Sequence, residues 1–239
     1  MQQIMSALRP PRFESLAYSS GWLSPAPISF REPAGANRQR DAVIKRTADI
    51  VMALALLSLV ALPMLLVAAV IRLTSPGPAL FRQQRIGLNG QRFTMLKFRT
   101  MRHIAEPAGT CRQATRNDDR ITGFGVWLRR SSFDELPQFL NVLAGSMSLV
   151  GPRPHAPGTC AAGRPFEAIA RDYAARHCVK PGMTGLAQVR GLRGETDTEE
   201  KLLRRVDSDL EYIATWSLTR DLLIICRTIV TVLRMMNAY

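Results

Sequence analysis

One apolar run constrains the fold of this chain more than any other feature of its sequence. The residues from Ile50 to Ile71, IVMALALLSLVALPMLLVAAVI, include no charged side chain. As a straight α-helix they extend about 33 Å, since each residue adds about 1.5 Å, and the hydrocarbon core of a bilayer is about 30 Å thick. The sequence therefore predicts a membrane-bound protein.

The path of this run through the membrane has two interpretations. Pro63 falls in its middle, where a proline removes a backbone hydrogen bond and kinks or breaks a helix. Basic residues flank both ends: Arg38, Arg40, Lys45 and Arg46 before the run, and Arg72, Arg82, Arg85 and Arg92 after it. Because such flanks stay on the cytoplasmic side, they favour a helix hairpin that enters and leaves on one side. A kinked single span is the alternative, since proline is tolerated in membrane helices.

The rest of the chain divides into a tail and a larger domain. Residues 1–43 are rich in Pro, Ser, Arg and Gly, with too little apolar periodicity for a core, so we expect a flexible tail. Residues 44–73 form the predicted membrane segment, either the re-entrant membrane helix hairpin or the kinked single span. Residues 74–239 form a compact cytoplasmic-face domain. The predicted fold class is α+β and mostly helical.

Local patterns predict the elements of that domain. Asn89-Gly90 separates two half-apolar segments, which is the signal of a small β-hairpin. Helices are expected over residues 120–143. Near the C-terminus, apolar residues recur at three- and four-residue steps, while Arg220, Arg227 and Arg234 gather on another face. This spacing predicts a basic amphipathic helix at the membrane surface, with an ordinary core-facing helix as the alternative.

The charge of the chain limits the classes of molecule that it is expected to bind. Its 32 Lys and Arg residues against 19 Asp and Glu give a net charge of +13. This excess predicts a polyanionic partner: a nucleic acid, an anionic lipid surface or a phosphorylated substrate. Nucleic acid is disfavoured because aromatic residues, the usual stacking platforms for bases, make up only 7% of the chain. Four scattered cysteines without Cys-x-x-Cys spacing indicate neither a zinc site nor a disulfide framework.

Two adjacent carboxylates, Asp134 and Glu135, lie in the segment RRSSFDELPQF. Ser132 and Glu135 match the capping box S-x-x-E of a helix start, which is the structural interpretation of the pair. Pro137 favours a helix capped by Asp134 instead, because proline is tolerated in the first turn of a helix but disrupts the second. In the functional interpretation, one carboxylate faces a substrate phosphate and the other holds a hard cation such as Mg²⁺.

Basic residues surround this pair along the sequence. Between residues 72 and 130 arginines and lysines greatly outnumber acids, and several lie beside predicted turns. Guanidinium groups bind phosphate oxygens through two parallel hydrogen bonds. Although charged runs are usually solvated faces, this arrangement fits a diphosphate site and favours the functional interpretation of the carboxylate pair.

A family resemblance lies in six segments, in this order: KRTAD, the apolar run, FRQQRIGLNGQRF, LKFRTM, RITGFGVWLRRSSFDELPQFLNVLAGSMSLVGPRP and VKPGMTGLAQVRG. From Lys45 to the C-terminus the chain resembles the bacterial sugar transferases, the small monotopic polyprenyl-phosphate phosphoglycosyl transferases. The resemblance implies transfer of a sugar 1-phosphate from a UDP-sugar to undecaprenyl phosphate, with release of UMP and a requirement for Mg²⁺. It implies a location at the cytoplasmic face of the bacterial inner membrane and a re-entrant hairpin broken at Pro63.

The same resemblance implies roles for individual residues. Asp134 attacks the β-phosphorus of the UDP-sugar, and Glu135 helps to hold Mg²⁺. The candidates for phosphate contacts are Arg129 and Arg153 first, then Lys97 and Arg99. The expected partners are a UDP-sugar, undecaprenyl phosphate and inner-membrane lipid, with no nucleic acid, and a homo-oligomer is left open.

Two segments depart from the pattern of the family. Leu62 stands where a serine often precedes the hairpin proline, and Asp118-Asp119-Arg120 stands where Asp-Pro-Arg is expected. Neither departure involves the carboxylate pair; they concern the local geometry of the hairpin and of one loop.

The donor sugar and the class of protein each have an alternative. The segments GPRPHA, RHCVKPG and RGETDT are most similar to the branch that uses UDP-glucose to start exopolysaccharide assembly, with UDP-galactose or another UDP-sugar as the alternative donor. A non-catalytic, membrane-anchored basic protein is the alternative from another class. Such a protein would have no use for the carboxylate pair or for the ordered Gly-Pro motifs.

Overall fold

The computed structural model describes residues 38–102 and 118–233. The predicted flexible tail lies outside the described residues up to residue 37, and residues 38–43 already belong to the first helix. The described part is mostly helical, with three small two-stranded sheets. This confirms the predicted α+β class.

Helix α1 (Arg38–Thr74) contains the whole apolar run. It is long and apolar enough to cross a membrane, with a mean hydropathy of 2.8 over its most apolar stretch. Pro63 lies inside the helix, so the predicted division into two helices is not confirmed. A proline removes one hydrogen bond from a helix, and the flanking residues of α1 keep their helical conformation around it. The side chains next to Pro63 are exposed, with Leu62 at 66% and Leu65 at 68%.

The predicted β-hairpin follows α1. Strands β1 (Leu80–Ile86) and β2 (Arg92–Phe98) pair antiparallel, joined by a 3₁₀ turn (Leu88–Gly90). Asn89 and Gly90 have φ angles of 54° and 73°. Asparagine and glycine adopt this left-handed conformation at the lowest cost, which is why the Asn-Gly signal correctly placed the turn.

The middle of the chain is helical, as predicted. Helix α2 (Gly123–Ser131) begins after Thr122, whose hydroxyl oxygen accepts a hydrogen bond from the N–H of Gly125 at 3.0 Å. A 3₁₀ turn (Phe133–Glu135) and helix α3 (Gln138–Ala144) come next. The carboxylate pair therefore lies between two helices.

The remaining elements are β3 (Ser148–Val150), β4 (Cys160–Ala161), β5 (Arg164–Pro165), α4 (Phe166–Ile169), a 3₁₀ stretch (Tyr173–Cys178), β6 (Gly182–Thr184), α5 (Leu186–Val189), α6 (Glu199–Ala214) and α7 (Leu218–Leu233). Strands β3 and β6 pair in parallel, which brings the two Gly-Pro motifs together. A Cβ atom on Gly182 would lie only 2.1 Å from the nitrogen of Gly151, so this crossing requires glycine. The close pairing fixes the start of the loop that carries Arg153.

Both ends of α1 bind the rest of the described structure. Near its start, Arg46 donates hydrogen bonds to the carbonyl oxygens of Val142 and Leu143 at 2.6 and 2.9 Å, which satisfies the C-terminal end of α3. Near its end, Arg99 donates to the carbonyl oxygens of Ser75 and Pro76 at 2.8 and 2.5 Å.

The apolar side chains of α1 pack into two separate clusters. Ala53 belongs to a core cluster with Val142 and Leu149, whereas Val67 and Ile71 belong to another with Phe98 and Leu128. Leu136 packs against both clusters. The two halves of α1, before and after Pro63, thus pack against different clusters. Leu136, which directly follows the carboxylate pair, connects these two clusters.

Helix α7 forms where the basic amphipathic helix was predicted. Its Ile224 is buried in the core, while Leu222, Leu223, Ile229 and Val230 are between 47% and 56% exposed. The helix therefore contacts the core through one face and leaves other apolar side chains exposed.

Candidate active site

The carboxylate pair lies in a turn whose shape the sequence did not reveal. Ser132 adopts a φ of 60°, which ends α2, and the 3₁₀ turn follows at once. Neither Ser132 nor Asp134 is the N-cap of α3, because this helix begins only after Pro137, which occupies its N-cap position; Ser132 instead caps the C-terminal end of α2. The predicted helix start at Asp134 is therefore wrong. Pro137 is tolerated where it lies because a helix start needs no backbone N–H from this residue.

Two cations bind the pair from other parts of the chain. Lys97, on β2, lies 2.7 Å from Oε1 of Glu135 and 3.7 Å from Oδ2 of Asp134. Arg153 donates two hydrogen bonds to Glu135, from Nη2 to Oε1 at 2.5 Å and from Nη1 to Oε2 at 3.1 Å. This bidentate geometry fixes the direction of the Arg153 guanidinium as well as its charge.

The two carboxylates have opposite electrostatic environments. Asp134 is only 8% exposed, and burial raises the pKa of its carboxyl, although Lys97 opposes the effect. Burial also acts to raise the pKa of Glu135, but the charges of Arg153 and Lys97 outweigh it and hold that pKa below its usual range. Glu135 is thus firmly ionised and holds the cations, whereas Asp134 makes no equally short ion pair in the described residues.

The other two predicted phosphate contacts lie in different places. Arg129 donates from Nε to the hydroxyl of Thr100 at 2.8 Å, and its charge acts on Asp134 to lower its pKa. The structure therefore brings Arg129, Lys97 and Arg153 together around the pair. Arg99 instead holds the end of α1 through its hydrogen bonds to backbone carbonyls, although it lines the same cavity.

A buried network supports the loop that carries Arg153. Arg176 is 2% exposed and donates from Nη2 to the carbonyl oxygen of Arg153 at 2.8 Å and to Oδ2 of Asp209 at 2.5 Å. The ring of His155 contacts Arg176 through Nδ1 and lies 3.2 Å from Nη1 of Arg205 through Nε2. Burial and the charges of Arg176 and Arg205 hold the pKa of His155 well below its usual range. This histidine therefore stays neutral beside two cations.

A cavity of about 2180 Å³ opens at the carboxylate pair. Part of its wall is apolar and comes from α1 and α7, including Leu56, Val60, Ile225 and Ile229. Another part is polar and comes from the loops that follow β3 and α5. The cavity can therefore take a molecule with both a charged and an apolar portion.

Two side chains of the polar wall, Arg193 and Thr196, were not among the predicted site residues. The sequence feature that could have indicated them is the segment GLRGET, in which a glycine lies on each side of a basic residue. Gly191 and Gly194 adopt φ angles of 85° and 76°, as in a tight loop.

The described residues include no group of three or more His, Cys, Asp or Glu side chains that could hold a metal ion by themselves. Asp134 and Glu135 nevertheless supply the oxygen ligands that Mg²⁺ prefers, and this ion commonly uses one or two carboxylates together with substrate phosphates. Each carboxylate oxygen has two lone pairs, so Glu135 can accept its hydrogen bonds and still bind a cation. The residues fit Mg²⁺ bound together with a diphosphate.

Comparison with known proteins places the chain in a family. Residues 40–235 match the family model of the bacterial sugar transferases. The chain is 54% identical, over 82% of its length and 72% of the relative, to a UDP-glucose:undecaprenyl-phosphate glucose-1-phosphate transferase of Caulobacter vibrioides (strain ATCC 19089 / CIP 103742 / CB 15). A protein of the same name in Xanthomonas campestris pv. campestris is 45% identical over 95% of the chain.

The relatives differ in length. The chain spans 46% of the Xanthomonas protein, so it covers about half of that relative. It spans 96% of the exopolysaccharide production protein PSS of Rhizobium leguminosarum bv. phaseoli, which is 48% identical over 80% of the chain. Because the family model matches most of the chain, the chain belongs to the bacterial sugar transferase family.

Proposed function

We propose that the protein transfers glucose 1-phosphate from UDP-glucose to undecaprenyl phosphate and releases UMP, as the first step of exopolysaccharide synthesis. The observation that carries this proposal is the buried Asp134 beside a Glu135 that holds Arg153 and Lys97 in the wall of one cavity. The names of the Caulobacter and Xanthomonas relatives support the donor and the acceptor, and the name of the Rhizobium relative supports the pathway.

The first chemical step uses Asp134 as the nucleophile. One of its carboxylate oxygens forms a bond to the β-phosphorus of the UDP-sugar. The bond from this phosphorus to the bridging oxygen breaks, and the electron pair leaves with UMP. Arg153 and Lys97 stabilise the negative charge that develops on the phosphate oxygens, because Glu135 already holds both cations in position.

The second step regenerates the aspartate. A phosphate oxygen of undecaprenyl phosphate attacks the same phosphorus and displaces the carboxylate of Asp134. The product is a sugar linked to the lipid through a diphosphate. Division into two displacements replaces one difficult step by two easier ones. Burial of Asp134 keeps water away from the intermediate.

Magnesium is the expected cofactor. We propose that Glu135 holds it, with Asp134 and the donor phosphates as further oxygen ligands. When bound, the ion neutralises charge on the diphosphate and on the departing UMP. Removal of divalent cations with EDTA should abolish UMP release, and addition of Mg²⁺ should restore it.

We also propose that α1 enters the inner membrane from the cytoplasm and returns to the same side. Two features of the structure support this topology: both ends of the helix bind the rest of the described chain, and the leucines beside Pro63 are exposed. The exposed apolar side chains of α7 would then rest at the membrane surface. The proposal predicts that the N-terminus lies in the cytoplasm.

Labelling tests the topology. A Ser20→Cys variant in intact cells should resist a thiol reagent that does not cross the membrane and should react after the cells are opened. The unmodified chain gives the background from its own cysteines. Labelling of intact cells at position 20 would support a single span and exclude the re-entrant path.

Turnover and trapping test the reaction. The purified protein with undecaprenyl phosphate and Mg²⁺ should release UMP from UDP-glucose, and Asp134→Asn should lose nearly all activity. Brief reaction with UDP-glucose alone should leave a phosphosugar adduct on the peptide that contains Asp134. If Asp134→Asn is active at the normal rate, Asp134 is not the nucleophile. If the protein prefers UDP-galactose to UDP-glucose, UDP-galactose becomes the donor.

A further inference from the structure

The loop between α5 and α6, residues 190–198, faces the same cavity as the carboxylate pair but has no role in the mechanism above. Residues 193–197 all line the cavity. Asp197 of this loop pairs with Lys201 of α6 at 3.5 Å, so the aspartate is directed toward the helix. Within the described residues, no hydrogen bond or ion pair of the side chain explains the positions of two lining residues, Arg193 and Thr196.

Arg193 is a cation without a close anion. Its side chain is partly buried, and no carboxylate of residues 38–102 or 118–233 forms an ion pair with it. Burial and repulsion from Arg153 lower its pKa, while Glu135 acts in the opposite direction. Arg193 is therefore close enough to Arg153 and Glu135 for their charges to act on it. A group with two phosphates between Arg153 and Arg193 would neutralise this local excess of positive charge.

Thr196 is a buried hydroxyl without a hydrogen-bond partner. The residue is 3% exposed, and its Oγ1 makes no hydrogen bond within the part of the chain that the structure describes. Buried polar atoms are nearly always hydrogen-bonded, because an unsatisfied hydroxyl loses its bonds to water without replacement. Since Thr196 lines the cavity, a molecule bound there is the natural partner.

We propose that residues 190–198 form a donor-binding loop, in which Arg193 binds the diphosphate of the UDP-sugar and the hydroxyl of Thr196 hydrogen-bonds with the same molecule. This inference rests on the proposed function, because it assumes a UDP-sugar in the cavity. It adds a cation from a separate loop to those held by Glu135 and gives the loop a role in donor affinity.

Substitution of Arg193 tests the diphosphate contact in the full chain, reconstituted in lipid nanodiscs. Arg193→Gln should raise both the Kd for UDP and the KM for UDP-glucose by about 10- to 100-fold, the usual effect of a lost charged hydrogen bond. Arg193→Lys should recover part of the affinity, because it keeps the charge but loses the fork of donors. Arg204→Gln is the matched control, since Arg204 is an exposed residue of α6 paired with Glu200.

Substitution of Thr196 separates binding from folding. Thr196→Val removes an unsatisfied buried hydroxyl at nearly constant shape, so the melting temperature should stay the same or rise. The KM for UDP-glucose should rise by about fivefold, as expected for one neutral hydrogen bond. Thr196→Ser should keep the normal KM, and Thr94→Val, at an exposed position of β2, should change neither quantity.

The outcomes distinguish this inference from the proposed function. If the unmodified protein releases UMP normally while Arg193→Gln and Thr196→Val keep normal KM and Kd values, the donor-binding loop is refuted and the proposed function stands. If the unmodified protein binds UDP but releases no UMP with any donor, the function fails, and the Kd for UDP of Arg193→Gln still decides the diphosphate contact. Failure to bind UDP at all would refute both.

Discussion

The two adjacent carboxylates of this site have different electrostatic environments because different side chains face them. Glu135 accepts hydrogen bonds from Arg153 and Lys97 and is held in its ionised form. Asp134 is buried with a weaker contact to Lys97 at 3.7 Å. A carboxylate with few strong hydrogen bonds keeps more of its nucleophilic character, whereas one bound to two cations is better suited to hold charge in place.

Glu135→Gln should lower kcat/KM for UMP release by about 100-fold, a size typical for loss of one preorganised electrostatic group. The neutral amide cannot hold Arg153 and Lys97 equally well, and both cations would turn toward Asp134. Glu199→Gln is the control, because Glu199 pairs with Arg164 at an exposed position. Equal activities of the two variants would contradict the role of Glu135.

The fall of activity at acid pH should report the protonation of the Asp134 carboxylate. The nucleophile is the ionised carboxylate, and burial raises its pKa from the ordinary value of 3.8. Activity should therefore fall, as pH decreases, at a higher pH than an exposed aspartate would give. The measurement is kcat/KM against pH, with each acid-treated sample returned to neutral pH to show that it recovers. A midpoint at or below 3.8, in recovered samples, would contradict the raised pKa.

At the level of elements, the start of α1 is held by a buried acceptor on α7. Asp221 is 3% exposed and accepts hydrogen bonds from Lys45 at 2.7 Å, from the hydroxyl of Tyr212 at 2.8 Å and from Nε1 of Trp216 at 3.1 Å. One carboxylate thereby links the first helix, α6 and α7. Lys45 of the KRTAD segment thus holds the start of α1 against α7.

Asp221→Ala should lower the free energy of unfolding by about 3 kcal/mol, because it removes the nearer of the two buried carboxylates beside Lys45 and leaves two further donors without this acceptor. Chemical denaturation in detergent micelles measures the loss. Asp207→Ala, at an exposed position of α6, should change the stability little. If the two variants unfold alike, Asp221 does not anchor the helix.

Local sequence predicted the elements with strong short-range signals. The Asn-Gly turn correctly placed the β-hairpin, and the apolar run correctly placed α1. The turn around Asp134 could not be predicted because Ser132 adopts a positive φ, which sequence periodicity does not report. Tertiary contacts on both sides, rather than helix propensity, decide that conformation.

The positions of the cationic side chains around the carboxylate pair depend on tertiary structure more than on local sequence. Arg153 meets Glu135 only because β3 pairs with the distant strand β6 and directs the following loop into the cavity. Lys97 and Arg99 are two residues apart, so in a continuous strand their side chains would lie on the same face. Strand β2 ends at Phe98, however, so Arg99 leaves that face and binds the end of α1. Such differences depend on where elements end.

At the scale of the whole molecule, two apolar surfaces accompany a strongly basic chain. The middle of α1 exposes leucines on both sides of Pro63, and α7 exposes further aliphatic side chains. In the proposed function the active site acts on a lipid phosphate and must therefore lie at the membrane surface. A net charge of +13 would attract the molecule to anionic lipid, and the exposed apolar side chains would then retain it there.

Replacement of the exposed leucines should release the protein from membranes without unfolding it. Leu62 and Leu66 are 66% and 60% exposed, so the double variant Leu62→Glu/Leu66→Glu keeps the core intact. Each buried charge opposes insertion by about 3 kcal/mol. In flotation with vesicles of anionic phospholipid at high salt, this variant should stay with the soluble fraction while Leu203→Glu, at a 43% exposed position of α6, floats. Flotation of the double variant would show that α1 does not insert through these residues.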